Sequence, residues 1–385
     1  MDKINTNQDQ DNLYIKPIVG DVQIEMAKGV GIDLYDVQPS SDYYLARLKD
    51  GTEVFVKFIH EPSSRKSYIK ASNEKSVSNL NTLMKPIGGI LGNNITIPKI
   101  LLIQPVMNPK SNVEEILIVS ETLNGISLFD LLMKGEVSLE VIKAIANFIY
   151  NVQRSTILKI ATFKLTIAKI RRTDVQWNQT FKENALKWSN QLTMASSSDQ
   201  NLSGLSRTVS ILFGYTSDFN ISKTGRSNHQ GRPRAGNTII NMEKNEVNIG
   251  HYNWEDSSGG NINYYTDASV IGELLWRHNL PLSNTVWIIL NLIKCKLDLM
   301  ITPQEKMHFI LYFRAVLSQR ILGDLTDIIF KEKIEEGLII KYIDYSKTKD
   351  GLSVDIQVLL ANIANLFIGL DSLFSSEQRK LEFES

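Results

Sequence analysis

Two polar clusters hold the residues whose types can handle charge. Gln230-Gly231-Arg232-Pro233-Arg234-Ala235-Gly236-Asn237 is the first, and Tyr252-Asn253-Trp254-Glu255-Asp256 is the second. Arg232 and Arg234 are permanent cations that donate hydrogen bonds and accept none. They can pair with a phosphate or a partner's carboxylates, or fold back onto Glu74 or Glu255. They cannot abstract a proton. No Asp or Glu lies between Asn228 and Asn237, so this stretch supplies no carboxylate base. His229 is the one substitute base nearby, and a lone histidine beside a loop reads more readily as structural. Asn237 and Asn253 offer carbonyl oxygens without charge. The chemistry open to such a set is holding anions and orienting polar groups.

In order and spacing, the two clusters resemble the catalytic half of the aminoglycoside phosphotransferase and choline kinase group. That group usually reads His-Gly-Asp-Leu-His/Arg-Pro-Gly-Asn, then Ile-Asp-Trp-Glu, then Tyr-Asp-Leu-Ala. Gly231, Arg234, Gly236, Asn237, Trp254, Glu255 and Asp267 fall on the pattern. Arg232 stands where the catalytic aspartate is expected, and Asn253 stands where the metal-binding aspartate is expected. The resemblance implies an α+β, two-lobed protein-kinase-like fold, with a small antiparallel-sheet N-lobe and a large, mostly helical C-lobe.

It also implies a nucleotide site for ATP or GTP. Lys57 would hold phosphates, Glu74 would pair with Lys57, and backbone groups at Glu121 and Leu123 would meet the base. Asn237, Asn253 and Glu255 would complete the site, with Asn237 and Asn253 as weakened magnesium ligands. The place of the glycine-rich phosphate loop holds Gln38-Pro39-Ser40-Ser41-Asp42 and no glycine. Asp267 is expected to be structural, either bonding backbone amides near the catalytic loop or capping a helix.

The function expected is therefore that of a pseudokinase with no catalytic residue. It would bind a partner protein or peptide, or a nucleotide, and a place in a modifying complex is open to it. The alternative is an active, atypical ATP- or GTP-dependent phosphotransferase acting on a small molecule or peptide.

The elements needed to position these residues are legible. Tyr43 to Leu48 and Glu53 to Phe58 read as strands around an Asp50-Gly51 hairpin turn. A helix follows at about Ser67 to Met84, then strands at Ile97 to Gln104 and Ile116 to Glu121. Thr122-Leu123-Asn124-Gly125 breaks the last strand as a hinge. Beyond it the chain reads as helical: Ser138 caps a helix to about Gln153, and Met194 to Ser206 reads as an exposed loop. Helices follow at 267–279, 284–298 and 303–321, the last with Thr302 as cap and Glu305 completing a capping box. Further helices are expected at Gly323 to Glu336 and at about 354–373. The expected division is a mobile tail at 1–12, an N-lobe at 13–122, a C-lobe at 123–374 and a tail at 375–385.

Composition is that of an ordinary globular chain. Among 385 residues, Lys plus Arg and Asp plus Glu are each 42, which removes the electrostatic reason to expect nucleic acid. The single Cys295 cannot form an intrachain disulfide. Residues 1–12 are polar, without the apolar core of a signal peptide, and no run is expected to reach the ~18 to 20 apolar residues of a membrane span. A cytoplasmic location is expected.

Overall fold

Period-2 alternation in the first third of the chain builds one antiparallel sheet. A short helix, α1 (Asp21–Lys28), leads into β1 (Ile32–Val37), β2 (Tyr44–Leu48) and β3 (Glu53–Ile59). The computed structural model describes residues 19–38, 43–61, 63–217, 219–231, 233–243, 246–275, 282–335, 338–348 and 352–384. The Asp50-Gly51 turn joins β2 to β3: Gly51 has φ of +85°, and the Asp50 carboxylate accepts the Thr52 N–H at 3.0 Å. After α2 (Ser64–Met84) come β4 (Ile95–Thr96), β5 (Ile100–Met107) and β6 (Glu114–Glu121). The sheet order is β1-β2-β3-β6-β5, with every neighbouring pair antiparallel.

β3 is buried on both faces. Val54 and Val56 pack with Met26 and Ala27 of α1, and with Leu117 and Val119 of β6. On the other side Ile59 packs with Ala71 of α2, and Phe55 packs with Tyr43, Ile239 and Tyr252. Lys57 stands between Phe55 and Ile59 in that second row. Alternation thus points its ammonium into the interior.

β6 ends at Glu121, at the expected break in the strand. Gly125 has φ of +137°, and a Cβ there would lie 2.4 Å from the Ile240 carbonyl oxygen, so only glycine fits. Beyond it come β7 (Ile126–Ser127), α3 (Leu128–Lys134), α4 (Leu139–Arg154), α5 (Thr156–Ala161) and α6 (Phe163–Ile170). Ser138 caps α4 through the Val141 N–H. Four later strands complete this part: β8 (Arg226–His229), β9 (Thr238–Glu243), β10 (Glu246–His251) and β11 (Ser258–Ile262). They form a sheet ordered β4-β10-β9-β7 and a β8–β11 ribbon. The described residues of Pro17–Arg172 and Arg226–Thr266 make one compact unit, and both polar clusters lie in it.

The second unit holds Thr173–Gly225 and Asp267–Ser385. Its helices are α7 (Asp174–Ser198), α8 (Leu205–Thr216), α9 (Ile221–Thr224), most of α10 (Tyr265–Leu275), α11 (Leu282–Leu299), α12 (Pro303–Ile329) and α13 (Ile356–Glu384). Thr302 caps α12 as expected, accepting the Glu305 N–H at 3.2 Å. The structure departs from expectation at three places. Residues 194–198 belong to α7, which leaves only a short loop before α8. α12 runs straight through Gly323, which lies close under the Trp188 ring, and then gives way to a hairpin of β12 (Phe330–Glu335) and β13 (Leu338–Ile343). α13 continues through 375–384, where Leu381 is buried and Lys380 pairs with Glu377 at 2.6 Å.

α13 also corrects the expectation about apolar runs. Over Ile356–Glu382 it is long and apolar enough, by composition, to cross a membrane. Leu359, Ile363, Leu366, Leu370 and Phe374 recur at helical spacing and are buried, as in a core helix.

Candidate functional site

Lys57 is 2% exposed and its ammonium is fully engaged. Nζ lies 2.7 Å from Glu255 Oε2 and donates to Asn253 Oδ1 at 2.9 Å. The Tyr43 ring centroid is 5.4 Å away. Sequence reasoning paired Lys57 with Glu74. The structure instead gives Lys57 to Glu255, and the reason is that Glu74 has other partners. Glu74 Oε2 accepts the Trp254 N–H at 2.7 Å, and Oε1 accepts from the Tyr43 hydroxyl at 3.4 Å. A backbone amide that must be satisfied in the interior competes successfully for this carboxylate.

Burial raises the Glu74 pKa to about 7. Lys57 pulls it down, Glu255 pushes it up, and the Trp254 N–H and Tyr43 hydroxyl lower it again. Burial wins because desolvation penalises the charged form and the one ammonium nearby sits against another carboxylate.

α2 clamps the second polar cluster from one side. Asn73 Nδ2 donates toward three carbonyls, those of Trp254 at 2.9 Å and of Glu255 and Ser257 at 3.0 Å. Lys70 reaches Asp256 at 3.2 Å, pairs closely with Glu61, and lies 3.8 Å from Glu255. From the other side the fully buried Gln230 donates to the Asn253 carbonyl at 2.8 Å, and the Ser257 hydroxyl donates to the Gln230 carbonyl. Asn253 itself takes φ of +69°, a left-handed position that asparagine tolerates better than most residues. Its N–H donates to the Tyr43 hydroxyl oxygen at 3.1 Å.

At the hinge, one side chain takes both backbone groups that the resemblance assigns to a base. The Tyr252 hydroxyl accepts the Leu123 N–H at 2.6 Å and lies 3.4 Å from the Glu121 carbonyl, to which it donates. The Glu121 carboxylate is turned elsewhere, accepting the Lys99 N–H at 2.9 Å. Burial pushes the Tyr252 phenol well above the usual tyrosine range. Tyr252 is held from behind, its N–H donating to the Asn237 carbonyl at 2.9 Å.

Lys57, Glu74, Asn253 and Glu255 are therefore brought together, and Asn237 is one backbone bond from the neighbouring Tyr252. Asn253, one of the two magnesium ligands that the resemblance implies, is engaged by the chain itself. Asn253 Oδ1 already accepts from an ammonium, and among the described residues no three His, Cys, Asp or Glu side chains gather to hold a metal. Arg232 and the loop residues Pro39 to Asp42 lie outside the described residues. His229 is buried, with Nδ1 3.0 Å from the Thr266 hydroxyl and its ring edge-on to Tyr265. In the second unit, Asp267 pairs with the buried Lys296 of α11.

Sequence reasoning missed Tyr43, Lys70, Asn73, Gln230 and the reach of Tyr252. The available signal lay in α2, where Asn73 and Glu74 sit among buried Ser67, Ser78 and Asn81. The polar residues that this helix buries meet backbone groups, beside the apolar face that Ala71 presents to Ile59.

No protein-family model matches the chain. No curated protein matches it in sequence. Solved structures to which it is similar include an ethanolamine kinase from Plasmodium vivax, at 10% identity and a TM-score of 0.46, with 90% of this chain and 84% of that chain covered. An aminoglycoside phosphotransferase from Alicyclobacillus acidocaldarius is similar at 10% identity and 0.46, covering 96% and 98%. A macrolide 2'-phosphotransferase from Brachybacterium faecium is similar at 12% identity and 0.42, covering 80% and 89%. Each is a likeness in the course of the chain, and the chemistry of the site is read from its own residues.

Proposed function

We propose that this chain is a catalytically impaired, kinase-like protein that works by binding a protein or peptide partner and not by transferring phosphoryl groups. The observation that carries this reading is the fate of Lys57. Its ammonium is held between Glu255 at 2.7 Å and Asn253 at 2.9 Å, so the cation a phosphate would need is spent internally. Phosphoryl transfer is mostly positioning and charge neutralisation. Here the cation is neutralised in advance, the metal-ligand position holds an uncharged Asn253, and no carboxylate lies between Asn228 and Asn237. ATP, GTP and magnesium have no role in the reading. The partner half is supported by the β12–β13 hairpin, where Ile339 is 68% exposed and Tyr342 is also exposed.

The test is a single-turnover assay of the pure protein with labelled ATP and GTP, magnesium, and a panel of small hydroxyl, amine and peptide acceptors. No transfer above background is expected. Magnesium-dependent transfer onto any acceptor overturns the reading and restores the alternative, an active atypical phosphotransferase. For the partner half, Ile339→Asp with Tyr342→Asp is expected to remove a co-purifying protein. An unchanged set of co-purifying proteins argues against this hairpin as the surface.

A further inference from the structure

The end of β6 presents a backbone acceptor and donor two residues apart, the Glu121 carbonyl and the Leu123 N–H. Such a pair is complementary to a flat heteroaromatic ring whose amino group adjoins a ring nitrogen, as on one edge of adenine. The walls beside the pair suit a ring as well: Phe55, Tyr43, Ile239 and Leu123 pack around one position. In this structure a ring already occupies that position, and it belongs to the chain. The Tyr252 ring lies edge-on to Phe55 at 4.7 Å between centroids and 5.2 Å from Tyr43, and its hydroxyl engages both backbone groups. Tyr252 is 1% exposed. A phenol hydroxyl accepts and donates at one atom, so it satisfies both groups at once.

We propose that Tyr252 is the built-in occupant of a site shaped for a flat heteroaromatic ligand, and that such a ligand binds only when this side chain is withdrawn or removed. The inference stands apart from the proposed loss of phosphoryl transfer, since a plug of this kind can sit in an active or an inactive protein. A tyrosine that merely fills the core makes a different prediction. Its removal lowers stability and creates no affinity for anything.

Adenosine is the probe, because it lacks phosphates and makes no demand on Lys57 or a metal. Binding is measured by calorimetry to the full chain, to Tyr252→Ile and to Tyr252→Phe. The natural chain is expected to show no binding at ~1 mM adenosine, and Tyr252→Ile is expected to bind at least about tenfold more tightly than that limit. Tyr252→Phe, whose ring still fills the site, is expected not to bind. For Tyr252→Ala the melting temperature is followed with phenol, which matches the ring and hydroxyl that the substitution deletes. A rise in the variant and none in the natural chain is expected.

Equal adenosine binding by the natural chain and Tyr252→Ile overturns the proposal. So does a folded Tyr252→Ile or Tyr252→Ala that responds to neither compound. Phosphoryl transfer from ATP by Tyr252→Ile would overturn the proposed impairment and leave the plug standing.

Discussion

Glu74→Gln is predicted to stabilise the protein above neutral pH and to leave it unchanged in acid. The side chain accepts the Trp254 N–H at 2.7 Å in full burial, and burial lifts its pKa from the usual 4.5 to about 7. Between those two values the folded state holds a proton that the unfolded chain has released. Stability due to this group is therefore fully present below about pH 4.5 and is lost as pH rises to about 7. A shift of this size corresponds to about 3 kcal/mol. Glutamine keeps the shape and an acceptor for Trp254, and its amide can donate to the Tyr43 hydroxyl oxygen.

The two proteins should melt together near pH 4.5 and diverge steadily to pH 7, with the gap constant beyond. For a cooperative unit of 150 to 250 residues the gap is on the order of 5 to 10 °C. Asp324 contributes a slope of the same sign, because burial raises its pKa from 3.8 to about 7. Only the difference between the two proteins isolates Glu74. The assay is melting temperature at half-unit pH steps from 4 to 8.5. Parallel curves, with the variant offset by the same amount at every pH, would refute the assignment of a raised pKa to Glu74.

Three further outcomes follow from the same contacts. Lys57→Met leaves the Glu255 carboxylate, 3% exposed, with only the Lys70 ammonium at 3.8 Å, and should cost about 2 to 4 kcal/mol in chemical denaturation, most of it recovered in the double variant with Glu255→Gln. Asn73→Ala removes the donor shared by three carbonyls and should cost about 1 to 3 kcal/mol, with faster amide hydrogen exchange confined first to residues 254–258. In the second unit, Lys296→Met should destabilise by about 3 kcal/mol by taking an ammonium away from buried Asp267, and addition of Asp267→Asn should restore much of it.

Much of the small sheet was legible because its signals are local. The Asp50-Gly51 turn fixes a register, and the register decides that Lys57 points inward with Phe55 and Ile59. The two helix caps, Ser138 and Thr302, are equally local. The first strand of the hairpin, β12, fell inside the helix expected at Gly323 to Glu336 because Phe330, Lys331, Glu332 and Lys333 suit either state, and only the antiparallel pairing of Phe330 with Ile343 decides. The choice of Glu255 over Glu74 as partner to Lys57 was not legible at all. It turns on a backbone amide 180 residues from Glu74 in sequence. Tyr252 is likewise one more aromatic residue at the start of a polar cluster until its hydroxyl is seen at Leu123, 129 residues away.

Tyr43 joins the two halves of the site into one packed unit. Its ring lies against Tyr252, and its hydroxyl accepts from the Asn253 N–H while donating to Glu74. The same ring lies beside the Lys57 ammonium. Tyr252 therefore cannot leave the hinge without exposing one face of Tyr43, and Tyr43 cannot move without loosening Glu74 and Asn253.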